Sequence, residues 1–166
     1  MKLAYADPPY LGCAHLYAEK EEVDHRKLLE RLKEYDGWAL SCSSPSLRIL
    51  LPMCPVDIRI GAFVKPFASF KPGVNPAYAW EPVLFRPARN KHGREIETVR
   101  DWVASNIMLQ KGLVGAKPTT FCFWLFRILG AEPDDDFDDL FPGTGIVSKC
   151  WRGWQETQHN QMHFEE

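Results

Sequence analysis

The apolar positions of the chain fall into blocks whose period switches between that of a strand and that of a helix. Leu3-Ala4-Tyr5-Ala6 is continuously apolar and predicts a buried strand. Asp24 then predicts a helix cap. The helix runs to about Tyr35 with Leu28, Leu29 and Leu32 on one face and Gly37 as its stop. Trp38-Ala39-Leu40-Ser41-Cys42 predicts a second buried strand. Ser44 and Pro45 read as the cap and first residue of a short helix carrying Leu47, Leu50 and Leu51. Val56 to Ile60 alternates, Ala62-Phe63-Val64 continues as a strand, and Trp80 to Phe85 predicts another. Lys117-Pro118 opens a helix that is apolar nearly all round, reaches Leu129 and stops at Gly130. Phe137 is strand-like, and Ile146–Trp154 predicts a last helix before a polar tail, 155–166, for which disorder is expected. Strands alternating with helices predict an α/β fold with an open, mainly parallel sheet, in a single domain over residues 1–166.

Composition narrows this picture without changing it. At 166 residues, 45% hydrophobic and 25% charged, the chain has the balance of a globular domain with a real core. A net charge of −2 offers no global attraction to nucleic acid, so any such binding needs a local patch. The five cysteines form no C-x-x-C, are odd in number and follow no signal peptide, which reads as reduced thiols in a cytoplasmic protein. The longest apolar run, around Phe121 to Ala131, is too short to span a membrane. Neither G-x-S-x-G nor G-x-x-x-x-G-K occurs, so nothing points to an α/β-hydrolase or a P-loop module.

The first strand runs straight into Asp7-Pro8-Pro9-Tyr10. Two prolines make a stiff turn that holds an acid, a carbonyl and a ring in fixed relation. An exocyclic amine on a nucleobase has two N–H donors and a lone pair delocalised into the ring. Asp7 can accept one N–H, the Pro8 carbonyl the other, and Tyr10 can stack on a base taken out of its helix. Near the other end, Asp139-Leu140-Phe141-Pro142-Gly143-Thr144-Gly145 leaves a strand through a Gly-rich turn onto a helix, where backbone N–H groups can approach a ligand closely.

Together the two loops resemble the amino-group methyltransferases acting on adenine N6 or cytosine N4. That family pairs a D/S-P-P-Y/W/F loop with a D-x-F-x-G-x-G loop, and Lys117-Pro118 is similar to its K-P element. The order here is permuted, catalytic loop first and cofactor loop last, as in one DNA methyltransferase group and in the messenger-RNA adenine methyltransferases. The resemblance implies a Rossmann-like sheet and S-adenosylmethionine as cofactor. Asp7, Pro8, Pro9 and Tyr10 would be catalytic, and Lys117, Asp139, Phe141, Gly143, Thr144 and Gly145 would bind the cofactor. Lys117 would reach the carboxylate of the cofactor's methionine part, and Asp139 would lie near its amino group. Asp at position 7 points to adenine N6. The family's further strand, whose acid contacts the cofactor ribose, has no room after the last helix. Gln155, Glu156, Asn160 or a partner chain is left to substitute.

The one concentrated basic run, with Arg86, Arg89, Lys91 and Arg94, is the candidate phosphate contact, and 87–116 the candidate recognition segment. The expected partner is nucleic acid, DNA ahead of RNA, with a homodimer or partner subunit open. The second reading is a non-catalytic methyltransferase-like subunit that binds nucleic acid or stabilises an active partner. Lys65, Phe67, Phe70, Lys71 and Tyr78 lie in a Pro-rich loop that either lines a nucleotide site or packs as a crossover. The acids Asp134, Asp135, Asp136, Asp138 and Asp139 read as solvated, and no metal site is expected.

Overall fold

The computed structural model describes residues 1–16, 21–67, 73–89, 98–106 and 116–162, without the side chains of Leu16, Gln161 and Met162. Its strands are β1 (Lys2–Ala6), β2 (Gly37–Ser41), β3 (Arg59–Val64), β4 (Trp80–Arg86), β5 (Trp102–Ala104) and β6 (Asp136–Asp139). The main helices are α1 (His25–Leu32), α2 (Leu47–Leu50), α3 (Thr119–Leu129) and α4 (Ile146–Met162). The strands form one sheet in the order β5-β3-β4-β2-β1-β6. β2, β1 and β6 are mutually parallel, as are β3 and β5, whereas β4 runs antiparallel to both β2 and β3. The sheet is therefore mainly parallel, as the strand–helix alternation predicts. The strand that opens the chain and the last strand lie side by side.

Side chains alternate across the sheet, so each strand feeds two cores. Leu3 and Tyr5 join Ala39, Phe63, Val83 and Phe85 beneath α3 and α4. Ala4 and Ala6 join Trp38, Leu40 and Leu84 beneath α1 and Leu50. The result is three layers, helix on sheet on helix. On the α3–α4 side, Phe137 of β6 stacks on Trp151 at 5.0 Å between ring centroids, and Trp151 stacks on Trp154 at 5.0 Å. Phe126 of α3 meets Trp151 edge-on at 5.1 Å. Such pairs contribute about 0.5–1.5 kcal/mol each beyond their buried area, enough to seat α4 along β6.

Several predicted boundaries move. α1 carries the predicted cap, with Asp24 accepting from the N–H groups of Arg26 and Lys27, but it ends at Leu32. Gly37 is the first residue of β2 rather than a helix stop; a Cβ there would sit 2.5 Å from the Ala88 nitrogen, so the position needs close backbone approach. The alternation over Val56–Ile60 overstates β3, which starts at Arg59 while Val56 is fully exposed. The short helix is capped at Ser43, one residue early, and Pro118 is the N-cap of α3 rather than its first residue. Gly130 ends α3 in the left-handed region at φ 68°, as predicted. Residues 155–162 are not a tail: α4 continues through them, with Gln155 Nε2 donating to the Pro133 carbonyl at 2.6 Å. Within the 87–116 recognition segment, Trp102–Ala104 is an edge strand of the sheet, while 90–97 and 107–115 lie outside the described residues.

Candidate active site

Parallel strands bring their carboxyl ends to one edge of the sheet, and ligand sites of open α/β sheets gather there. β1 ends in Asp7 and β6 ends in Asp139. Leu3 pairs with Phe137 and Tyr5 with Asp139, so both acids leave adjacent strands on the face covered by α3 and α4. β4, being antiparallel, delivers its beginning to the same edge. That placement brings Glu81 of β4 and Lys65, just past β3, to the loop holding Asp7.

Four charges meet there. The buried Lys117 ammonium, just before α3, contacts Glu81 Oε1 and lies 3.1 Å from Asp7 Oδ1. Lys65 Nζ lies 2.7 Å from Glu81 Oε2. Two carboxylates and two ammonium groups balance, which a buried cluster requires. Burial would raise the Glu81 carboxyl, but Lys117 and Lys65 outweigh it and hold its pKa at about 2. Burial also opposes the Lys117 charge, yet Asp7 and Glu81 hold its pKa above the ordinary lysine value. Asp7 keeps a net upward shift, because burial exceeds the pull of Lys117. The site therefore gives Asp7 an enhanced proton affinity. Beneath the cluster, Lys117 Nζ sits 5.5 Å from the Phe121 ring centroid, and the Tyr5 hydroxyl shares a hydrogen bond with Ser41 Oγ at 2.8 Å.

Pro8 is buried and Tyr10 half-buried. No hydrogen bond reaches the Pro8 carbonyl from the described residues, so that acceptor stays available. Tyr10 lines a cavity of about 380 Å³ whose walls include Arg48, Lys65, Tyr78, Trp80 and Glu81. The loop after Tyr10 folds back on itself, Cys13 N–H donating to the Tyr10 carbonyl at 2.8 Å and Glu22 receiving the N–H groups of Gly12 and Ala14.

At β6, Asp139 Oδ2 accepts from Ser148 Oγ at 3.2 Å, while Oδ1 is buried with no hydrogen-bond partner among the described residues. Burial pushes this carboxyl above the ordinary range. Gly143 (φ 47°) and Gly145 (φ 71°) hold the left-handed backbone that lets Pro142–Gly145 turn tightly, with Gly145 N–H on the Pro142 carbonyl. Gly143 and Thr144 are exposed. Phe141 is half-buried and packs on the α1–α2 side. Against the upward push of burial on Asp139, the Ser148 hydroxyl and the backbone N–H groups of Phe141 and Ser148 pull the other way, and a carboxylate beside an open glycine turn suits a ligand that carries a cationic amine.

The edge thus gathers Asp7, Pro8, Pro9, Tyr10, Lys117 and the 139–145 loop. It does not gather Arg86 or Arg89. Arg86 pairs with Trp38, at the start of β2 and the opposite edge of the sheet, and its Nε lies 3.0 Å from Asp57. Arg89 forms a two-pronged pair with the buried Asp135 at 2.6 and 2.8 Å and donates to the Gly130 carbonyl. Lys91 and Arg94 lie outside the described residues, as do Phe70 and Lys71. Of the remaining acids, Asp138 accepts from the Tyr35 hydroxyl at 2.7 Å and Asp134 lies 3.6 Å from His159. Gln155 bonds near the middle of α4, roughly 14 Å along the helix axis from Ile146, so it is not placed at the Gly loop.

Glu81 and Lys65 were not singled out for this cluster. Their signal was present: an acid second in an otherwise apolar strand is rarely buried without a paired cation.

No family model matches the chain, and no curated protein matches it. Among solved structures, the crystal structure of the M1.HpyAVI–SAM complex superposes with a TM-score of 0.61 over 93% of this chain and 78% of that one, at 13% identity. The likeness is one of fold: the chain shares with that structure a mixed α/β architecture built on an open, mainly parallel sheet. No helix among the described residues is long and apolar enough to cross a membrane, and all five cysteines are free.

Proposed function

We propose that the chain transfers a methyl group from S-adenosylmethionine to an exocyclic amine of a nucleobase, with adenine N6 in DNA as the favoured target, in the cytoplasm. The observation that carries this reading is the pairing of two loops at one sheet edge. Asp7-Pro8-Pro9-Tyr10 and the Asp139–Gly145 turn leave neighbouring parallel strands on one face. A fold neighbour whose solved structure is a complex with SAM supports it.

The Asp139 carboxylate would receive the amino group of the cofactor's methionine part, and the Gly143-Thr144-Gly145 backbone would lie along it. Lys117 has three N–H donors, of which Asp7 and Glu81 take two; the third is free for the cofactor carboxylate. When bound, S-adenosylmethionine supplies an electrophilic methyl on its sulfonium. Lys117 holds Asp7 through Oδ1, leaving Oδ2 to accept one N–H of the target amine. The Pro8 carbonyl accepts the other, which turns the nitrogen lone pair toward the methyl, and Tyr10 stacks the base. An amine that gains a methyl must lose a proton, and Asp7, whose burial raises its proton affinity, would take it up. Most of the acceleration is orientation.

The alternative, a non-catalytic subunit, draws on one feature: β6 is the terminal strand of the described sheet, so no described strand lies beyond it to hold the ribose. The test is transfer of labelled methyl from S-adenosylmethionine to DNA or RNA, with Asp7→Ala as control. Transfer that falls at least about 100-fold in Asp7→Ala, with cofactor binding retained, supports catalysis. A fully active Asp7→Ala protein refutes the mechanism, and cofactor binding that requires a partner chain favours the subunit reading.

A further inference from the structure

The sequence directs attention to the basic run at 86–94, but its described members are spent at the wrong edge of the sheet. Among the described residues, the exposed cation in the wall of the Tyr10 cavity is Arg48, on α2. It is the one charged residue between Cys42 and Val56, and no ion pair engages it among the described residues. Glu81 is the one acid in that cavity wall, and Lys117 and Lys65 already neutralise it. Tyr78 and Trp80 line the same cavity as Arg48 and are 57% and 41% exposed. Large aromatics so exposed beside a cavity have a ligand's faces to cover. At about 380 Å³ the space lies near the lower end of the usual range of roughly 300–1,000 Å³ for ligand cavities, room for about one nucleotide.

We propose that this cavity is the entry of a single-stranded polynucleotide. Arg48 takes the phosphate beside the target nucleotide, and Trp80 with Tyr78 stacks the neighbouring base. A cation on a backbone track with aromatic faces along it is the recurring chemistry of single-strand binding, and it tolerates sequence. The proposal rests on the reading of Asp7–Tyr10 as the target-amine site and names the strand form that reaches it.

The test is anisotropy of a dye-labelled single-stranded oligo-dA, with oligo-rA and a duplex as parallel arms, titrated with salt. The wild-type protein is compared with Arg48→Ala, Trp80→Ala and Arg86→Ala, each first checked for an unchanged circular dichroism spectrum. Expected are tighter binding of the single strands than of the duplex and a loss of roughly fivefold or more in Trp80→Ala. In Arg48→Ala, the slope of log affinity against log salt should shrink by about 0.7, one phosphate's worth on a single strand. Arg86→Ala should bind like the wild type. Binding lost in Arg86→Ala and kept in Arg48→Ala overturns the proposal, as does duplex preference or no binding by the wild-type protein. Methyl transfer to oligo-dA measured on the same variants separates the two readings: transfer that is intact in Arg48→Ala at unchanged KM removes this track and leaves the reaction standing.

Discussion

Replacing Glu81 with Gln removes the carboxylate that joins Lys117 to Lys65 and leaves the shape of β4 intact. Its cost follows from the proton affinity of the group. Glu81 falls from an ordinary 4.5 to about 2 in the fold. At about 1.4 kcal/mol for each tenfold change in proton affinity, that corresponds to about 3 kcal/mol of stability at neutral pH. The Gln oxygen still accepts one hydrogen bond, Lys117 keeps Asp7, and Lys65 is partly solvated, so the net loss should be roughly 2–3 kcal/mol. For a chain of this length that lowers Tm by roughly 4–12 °C. The sign of the pH dependence is definite. A depressed carboxyl stabilises the fold fully above its unfolded value, and the contribution is lost as pH falls toward the folded one. The gap between wild type and Glu81→Gln should therefore be widest above about pH 5 and shrink steadily toward pH 2. Urea titrations at pH 7, 4 and 3 measure it. A gap of equal size at all three pH values refutes the reasoning, because the carboxylate's charge would then contribute nothing.

Two other substitutions separate roles at the two ends of the sheet. Asp139→Ala removes the carboxylate beside the glycine turn and should weaken S-adenosylmethionine binding by roughly 10- to 100-fold in calorimetry, the value of a hydrogen bond to a charged group. Unchanged affinity would place the cofactor elsewhere. Asp135→Asn breaks the clamp that Arg89 and the amino terminus of Met1 make on one buried carboxylate, and should cost roughly 2–3 kcal/mol in urea unfolding. Asp135 is held at about 2 against an ordinary 3.8, so that stability is present above about pH 4 and lost as pH falls toward 2.

The strands that carry the two candidate loops were legible because their signals are local. A four-residue apolar run ending in Asp7-Pro8-Pro9, and an acid followed by two glycines, read the same in any context. The parallel sheet followed from strand–helix alternation, and α3 from its length and its Gly130 stop. What escaped was set by partners far along the chain. Gly37 looks like a helix stop until Ala88 is seen packed against it. The polar residues after Trp154 carry no apolar stripe, but Trp151 and Trp154 anchor α4 over Phe137, and Gln155 finds the Pro133 carbonyl. β5 is only three residues long and owes its existence to β3. Arg86 and Arg89 read as a basic patch in one dimension, whereas the fold gives each a carboxylate. Glu81 completes the charge cluster through an antiparallel strand, a reversal that no local pattern announces.

The most direct test of the proposed chemistry is the position of the transferred methyl. The protein would be incubated with labelled S-adenosylmethionine and single-stranded DNA, and the product digested to nucleosides and resolved by mass spectrometry. The arrangement of Asp7 and the Pro8 carbonyl predicts label on N6-methyldeoxyadenosine, lost in Asp7→Ala. Label on a ring nitrogen or carbon, or label on N6-methyldeoxyadenosine that persists undiminished in Asp7→Ala, would contradict it.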